Sequence, residues 1–119
     1  MFHIKTIKSI YLIQFHDLNS SDVDKFFYFI SSLFENKKFF KLIFDLSNMK
    51  VSDSAFLPKI IPFMVKNKKN TITYIDKTAI IIKNKTIKNI FNNFVFKIHP
   101  PVKPNIITNK IDEALDFLY

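Results

Sequence analysis

The chain contains no cysteine, no glycine and no tryptophan, and none of its 18 basic residues is arginine. Each absence removes a class of chemistry. Without cysteine there is neither a disulfide nor a thiolate metal site, and the redox compartment is unreadable. Without glycine there is no P-loop and no dinucleotide fingerprint, since both bring bare backbone up to phosphates. The glycine-flanked serine elbow of α/β-hydrolases is excluded on the same ground. Without arginine the bidentate forks on which specific DNA readers rely are missing, and lysine does not imitate them. No apolar run exceeds about five residues, far below the roughly 20 that span a bilayer. The N-terminal "MFHIKTIKSIYLIQF" lacks the uninterrupted apolar core of a secretory signal. The expectation is a cytoplasmic protein without a transmembrane segment.

What is present points to one globular domain over residues 1–119, long enough to bury a core unaided. Hydrophobic residues make up 48% of the chain, and the formal net charge is +8. Such a charge can mark nucleic acid or an anionic membrane as partner. Here Lys, Asn, Ile and Phe abound while Arg, Gly and Trp are lacking. That is the pattern of AT-rich codons, so the lysine excess follows from genome composition and reads as a solvated surface. Nucleic acid is not expected as a partner.

Residues 3–16 read as two β-branched and aromatic strands turning near Lys8-Ser9. "NSSDVDKFFYFISSLFENKK" reads as a helix. Ser21 is its N-cap, Asp22 and Asp24 lie in the first turn, and Lys37 and Lys38 lie at the far end, the order the helix dipole favours. Val23, Phe26, Phe27, Ile30, Leu33 and Phe34 recur at helical intervals on one wide apolar face. "FFKLIFDLS", 39–47, and "KTAIIIKN", 77–84, are strands of the kind buried on both faces. The segment from Ser54 has helical spacing through Phe56, Ile60, Phe63 and Met64 but carries Pro58 and Pro62, so that helix kinks near Pro62 or starts late. "KNKKNTITYID" reads as a connector or a short strand. "NKTIKNIFNNFVF" places Ile87, Ile90, Phe91 and Phe94 on one helical face. The prolines of "HPPVKPNIIT" forbid helix, and a short strand at Asn105–Thr108 follows. The last helix opens with Asn109 as cap and Asp112 at N3, and turns Ile111, Ala114, Leu115 and Leu118 inward. The order β-β-α-β-α-β-α-β-α implies an α/β fold, with about four helices flanking a mixed, mostly parallel sheet.

No catalytic signature emerges. His3, His16 and His99 are scattered without ligand spacing, and no carboxylate pair is placed for acid–base work. No metal, cofactor or enzymatic activity is expected. In a parallel sheet, sites favour the carboxyl ends of strands. Asp45 stands at such an end, and Ser52, Asp53 and Ser54 stand where the following helix begins. A phosphate on Ser54 would bring about −1.5 to −2 of charge to that helix start. The alternative is that these residues only cap a helix.

The stretch "FDLSNMKVSDSAFL" resembles the STAS superfamily, typified by bacterial anti-sigma-factor antagonists. There an apolar strand ends in Asp-Leu-Ser, and a further Asp-Ser-Ser-Gly-Leu begins a helix. Asp45, Leu46 and Ser47 match the first part, and Asp53 and Ser54 the second. Ala55 and Phe56 replace the following Ser and Gly. "DKTAIIIKNKTIKNIFNNFVF" and "PNIITNKIDEALDFL" are similar to the SpoIIAA-like branch, related to STAS and CRAL-TRIO proteins. The resemblance implies a STAS-like fold over the whole chain. It also implies a non-catalytic regulatory or protein-interaction module, with Ser54 as a phosphoacceptor, active or vestigial, and a partner surface around Asp45, Ser47, Ser52, Asp53 and Phe56. The implied partner is a protein, such as a regulatory kinase or a sigma-pathway-like protein. The alternative is a lipid or other apolar ligand, or peripheral lipid contact, motivated by the aromatic content of 16% and the Phe-rich helix face. Phe-rich surface left over after folding would instead mark a homodimer.

Overall fold

The computed structural model describes residues 2–98 and 100–119. Five strands form one sheet in the order β1-β2-β3-β4-β5: β1 (Phe2–Ile7), β2 (Ile10–Phe15), β3 (Phe40–Asp45), β4 (Ile75–Ile81) and β5 (Asn105–Thr108). The first pair is antiparallel and the rest run parallel, so the sheet is mixed and mostly parallel as the element order implied. The β1–β2 hairpin turns at Lys8-Ser9, with Ile7 opposite Ile10. Lys8 takes a left-handed conformation there, at φ 56°.

Side chains alternate across a strand, and both faces of the central strands are buried. On one face Ile13, Phe15, Phe40, Leu42 and Ile80 meet Phe26, Ile30, Leu33 and Phe34 of helix α1 (Ser20–Glu35). On the other face Ile10, Ile43, Ala79 and Ile81 meet Ala114 and Leu118 of helix α6 (Ile111–Leu118). Each fully buried aliphatic side chain stabilises the fold by about 1.5–3 kcal/mol before entropy is counted. The sheet, clamped between these layers, is the rigid frame.

Several local details differ from the expectation. The N-cap of α1 is Asn19 rather than Ser21, because Asn19 and Asp22 close a reciprocal capping box at 3.0 Å each way. The segment after β3 starts with a 3-10 turn, Val51–Phe56, and α2 (Leu57–Lys66) begins only afterwards. The helix thus starts late, which puts Pro58 in its first turn, where no hydrogen bond is lost. Pro62 lies inside it. "KNKKNTITY" is neither connector nor strand but a short helix, α3 (Lys68–Tyr74). None of its residues is fully buried, and its last one, Tyr74, packs against Phe34 of α1 and against Phe39, with ring centroids 6.3 and 5.6 Å apart.

Helix α4 (Lys85–Ile90) runs into a π turn, Phe91–Val95, before the short α5 (Phe96–Ile98). In the turn the Phe96 amide donates to the Phe91 carbonyl, five residues back. The wider turn rotates the following side chains. Phe94, expected inward, is therefore exposed, and Val95 is buried instead. At α6 the cap is not Asn109. The Thr108 hydroxyl accepts from the Lys110 amide and donates to Glu113, and Ile111 faces outward.

Candidate functional site

The carboxyl ends of β2 and β3 bring the sequence-singled residues to one edge of the sheet. Asp45, half-buried, accepts hydrogen bonds from the Ser47 amide at 3.0 Å, from the Ser47 hydroxyl, and from Gln14 Nε2 at 3.1 Å. Burial alone would raise its pKa. The bonds from Ser47 and Gln14 and the positive charge of Lys83 outweigh that and hold the carboxyl below its usual range.

Asp53 points inward and is only 5% exposed. One of its oxygens accepts the Leu18 amide at 2.9 Å and the other the Lys50 amide at 2.9 Å. It therefore ties the loop after β2 to the loop after β3, and both of its oxygens are engaged. On the rim, Lys50 Nζ lies 3.2 Å from Asp17, whose carboxyl is held low by that lysine first and by His16 second. His16 also stacks against His3, with ring centroids 5.7 Å apart. Among the described residues no group of three His, Cys, Asp or Glu is placed to hold a metal. His99 lies outside them.

Ser54 is half-buried in the 3-10 turn, and its hydroxyl donates to the Val51 carbonyl at 2.5 Å. Ser52 and Ala55 are exposed beside it. Phe56 is half-buried, with Lys59 Nζ 5.4 Å from its ring centroid. The edge thus combines a hydroxyl near the surface, a cation–aromatic pair worth on the order of 0.5–1 kcal/mol, and an acidic framework already satisfied from within.

A second feature was only half legible. Between the helical layer and the sheet lies a cavity of about 180 Å³. Phe44, Leu46 and Ile80 form its floor, Phe26 and Ile30 of α1 one wall, and Phe91 and Val95 of the π turn another. Ile60, Ile61, Phe63 and Met64 of α2 roof it, yet only Leu57 of that helix is fully buried. The roof is attached to α1 by Phe27 stacked on Phe63, with centroids 4.3 Å apart and planes 6° from parallel. The sequence signal was the strong apolar stripe of α2 coupled to a proline inside it. Periodicity does not say how closely a helix approaches the sheet.

Comparison with solved structures fits this geometry. The chain superposes on an anti-sigma factor antagonist from Mycobacterium paratuberculosis with a TM-score of 0.59 at 14% identity, over 98% of this chain and 92% of that one. It superposes on a protein of the DUF3478 family from Shewanella loihica, described as having a SpoIIAA-like fold, with a TM-score of 0.63 at 12% identity. That match covers 100% of this chain and 93% of the other. The fold is SpoIIAA-like. No protein-family model and no curated protein matches the chain. In this SpoIIAA-like frame Asp45 ends β3, Ser47 follows it, and Asp53 and Ser54 lie in the 3-10 turn before α2. No helix among the described residues is long and apolar enough to cross a membrane.

Proposed function

We propose that this chain is a non-catalytic regulatory module of STAS type that acts through protein contact at the carboxyl edge of its sheet. The observation that carries this reading is the 3-10 turn. It presents Ser52 and Ala55 to solvent with the half-buried Ser54 between them, on a framework fixed by Asp53. The shared fold with a protein described as an anti-sigma factor antagonist supports it. In this reading Ser54 is the phosphoacceptor, the partner is a regulatory kinase or a sigma-pathway-like protein, and the module works in the cytoplasm. Phosphorylation at Ser54 replaces the hydrogen bond to Val51 with a dianionic group one residue from the Asp53 carboxylate. Like charges so close disfavour the turn. The modification therefore loosens the edge and changes what docks on it.

The test has two arms. Intact mass of protein from its native cell should show a phosphatase-sensitive species about 80 Da heavier. Pull-downs with wild type, Ser54→Ala and Ser54→Asp should differ in partners between the alanine and aspartate forms. Identical partners for all three would remove Ser54 from any switching role.

A further inference from the structure

We propose that β1 is a docking edge for an acidic, extended segment of a partner protein, which adds a strand to the five-stranded sheet. Among the described residues β1 pairs only with β2, so its outer side ends the sheet. Its register runs unbroken from Phe2 to Ile7, without bulge or proline. Every residue of it except the half-buried Phe2 is exposed. The opposite edge, β5, is shorter, at four residues, and follows Pro104. Natural sheets blunt their edges with short strands, bulges, prolines or charge, and β1 has only the charge.

The hairpin decides which backbone groups are on offer. A two-residue loop closes on a hydrogen-bonded pair, here Ile7 and Ile10. Bonded and non-bonded pairs alternate along an antiparallel ladder, so His3, Lys5 and Ile7 bond to β2. Phe2, Ile4 and Thr6 turn their amides and carbonyls outward, where an added strand would pair with them.

Charge selects the occupant. The hairpin from Phe2 to Phe15 carries Lys5 and Lys8 and no acid. Asp17, just beyond it, is paired with Lys50 at 3.2 Å. Opposite charges across a ladder stabilise it, and like charges directly opposite destabilise it. Antiparallel pairing with a second copy places Lys5 opposite His3 in the register of greatest overlap, and opposite Lys5 in the next. Neither gives Lys5 an acid. A foreign strand with an acid opposite Lys5 does, and His3 on the same face adds a ring N–H donor. On the other face Ile4, 37% exposed, takes a β-branched residue. The matching segment therefore alternates acidic and β-branched residues.

The test is titration of isotope-labelled protein with the capped peptide Thr-Glu-Val-Glu-Val-Ser, followed by amide NMR. The amides of Phe2, Ile4 and Thr6 should shift and exchange more slowly. The same peptide with both glutamates replaced by lysine should bind about tenfold more weakly. Proline in place of the first valine, which faces Ile4 and donates to its carbonyl, should weaken binding by a similar factor. Ile4→Pro removes an amide directed away from β2, so the Lys5 and Ile7 amides should stay protected while binding is lost. Lys5→Glu, a surface change, should remove the preference for glutamate over lysine. No shift at Phe2, Ile4 and Thr6 at millimolar peptide overturns the docking edge. So do shifts centred on Ser52 and Ser54, or light scattering that shows β1 taken up by a second copy. A preference for glutamate that survives Lys5→Glu overturns the selection by charge.

Discussion

The carboxylate of Asp53 accepts the amide of Leu18 at 2.9 Å across 35 residues of chain. Its other oxygen accepts the Lys50 amide. The acid of the Asp-Ser pair is thus part of the frame and not of the surface. Asp53→Ala removes the acceptor for two amides in a water-poor setting, and each unmet donor costs about 1–3 kcal/mol. We expect a loss of about 2–4 kcal/mol by urea unfolding, with Asp53→Asn intermediate because it keeps one acceptor oxygen. A loss below about 1 kcal/mol would mean that water replaces the carboxylate readily.

The absence of glycine leaves a trace in the backbone. Lys8, Asp17 and Lys37 adopt positive φ, at 56°, 47° and 53°. Lys37 sits one residue past the C-cap of α1 and donates its amide to Phe34, the position where helices commonly end in glycine. A side chain in the left-handed region costs about 1–2 kcal/mol, and glycine avoids this at some cost in unfolded-chain entropy. Lys37→Gly should therefore stabilise the protein by roughly 0.5–1 kcal/mol, visible as a raised urea midpoint with unchanged slope. Destabilisation would show that the lysine stem makes contacts that outweigh the strain.

How much of this was legible follows from where the information resides. The apolar face of α1 and the double burial of β3 and β4 are written as local periodicities, and they hold. The π turn is not local in that sense. Ile87, Ile90, Phe91 and Phe94 fit an ideal helical stripe, and the extra residue per turn is chosen by packing that buries Val95. Helix α3 reads as polar connector because none of its residues is fully buried, and its packing contact, Tyr74 against Phe34 of α1, comes from far back in the chain. For the site, spacing placed Asp45, Ser47, Asp53 and Ser54 at one edge but did not say that Asp53 turns inward. The inward turn depends on Leu18, on another loop.

Asp45 makes the acid limb of stability predictable. Its folded pKa is below the usual value of 3.8, since the bonds from Ser47 and Gln14 and the charge of Lys83 outweigh burial. A carboxyl with a depressed folded pKa contributes stability above its unfolded pKa and loses it as pH falls through the folded one. Wild type should lose stability as pH falls below about 4, and Asp45→Asn should show a flatter acid limb. Parallel limbs in the two proteins would mean that Asp45 is equally solvated folded and unfolded.

The stack of Phe27 on Phe63 is what holds the roof of the cavity to α1. Phe26 also touches Phe63, at 6.3 Å between centroids. A stacked pair is worth about 0.5–1.5 kcal/mol beyond its buried area. A double-mutant cycle with Phe27→Leu and Phe63→Leu should return a coupling of about 1 kcal/mol. The same substitutions should speed amide exchange in α2 more than in β3. The sheet opens only with global unfolding, whereas a helix with one buried residue opens on its own. If α2 and β3 amides accelerate together, the roof is no separate unit, and access to the cavity requires unfolding of the whole domain.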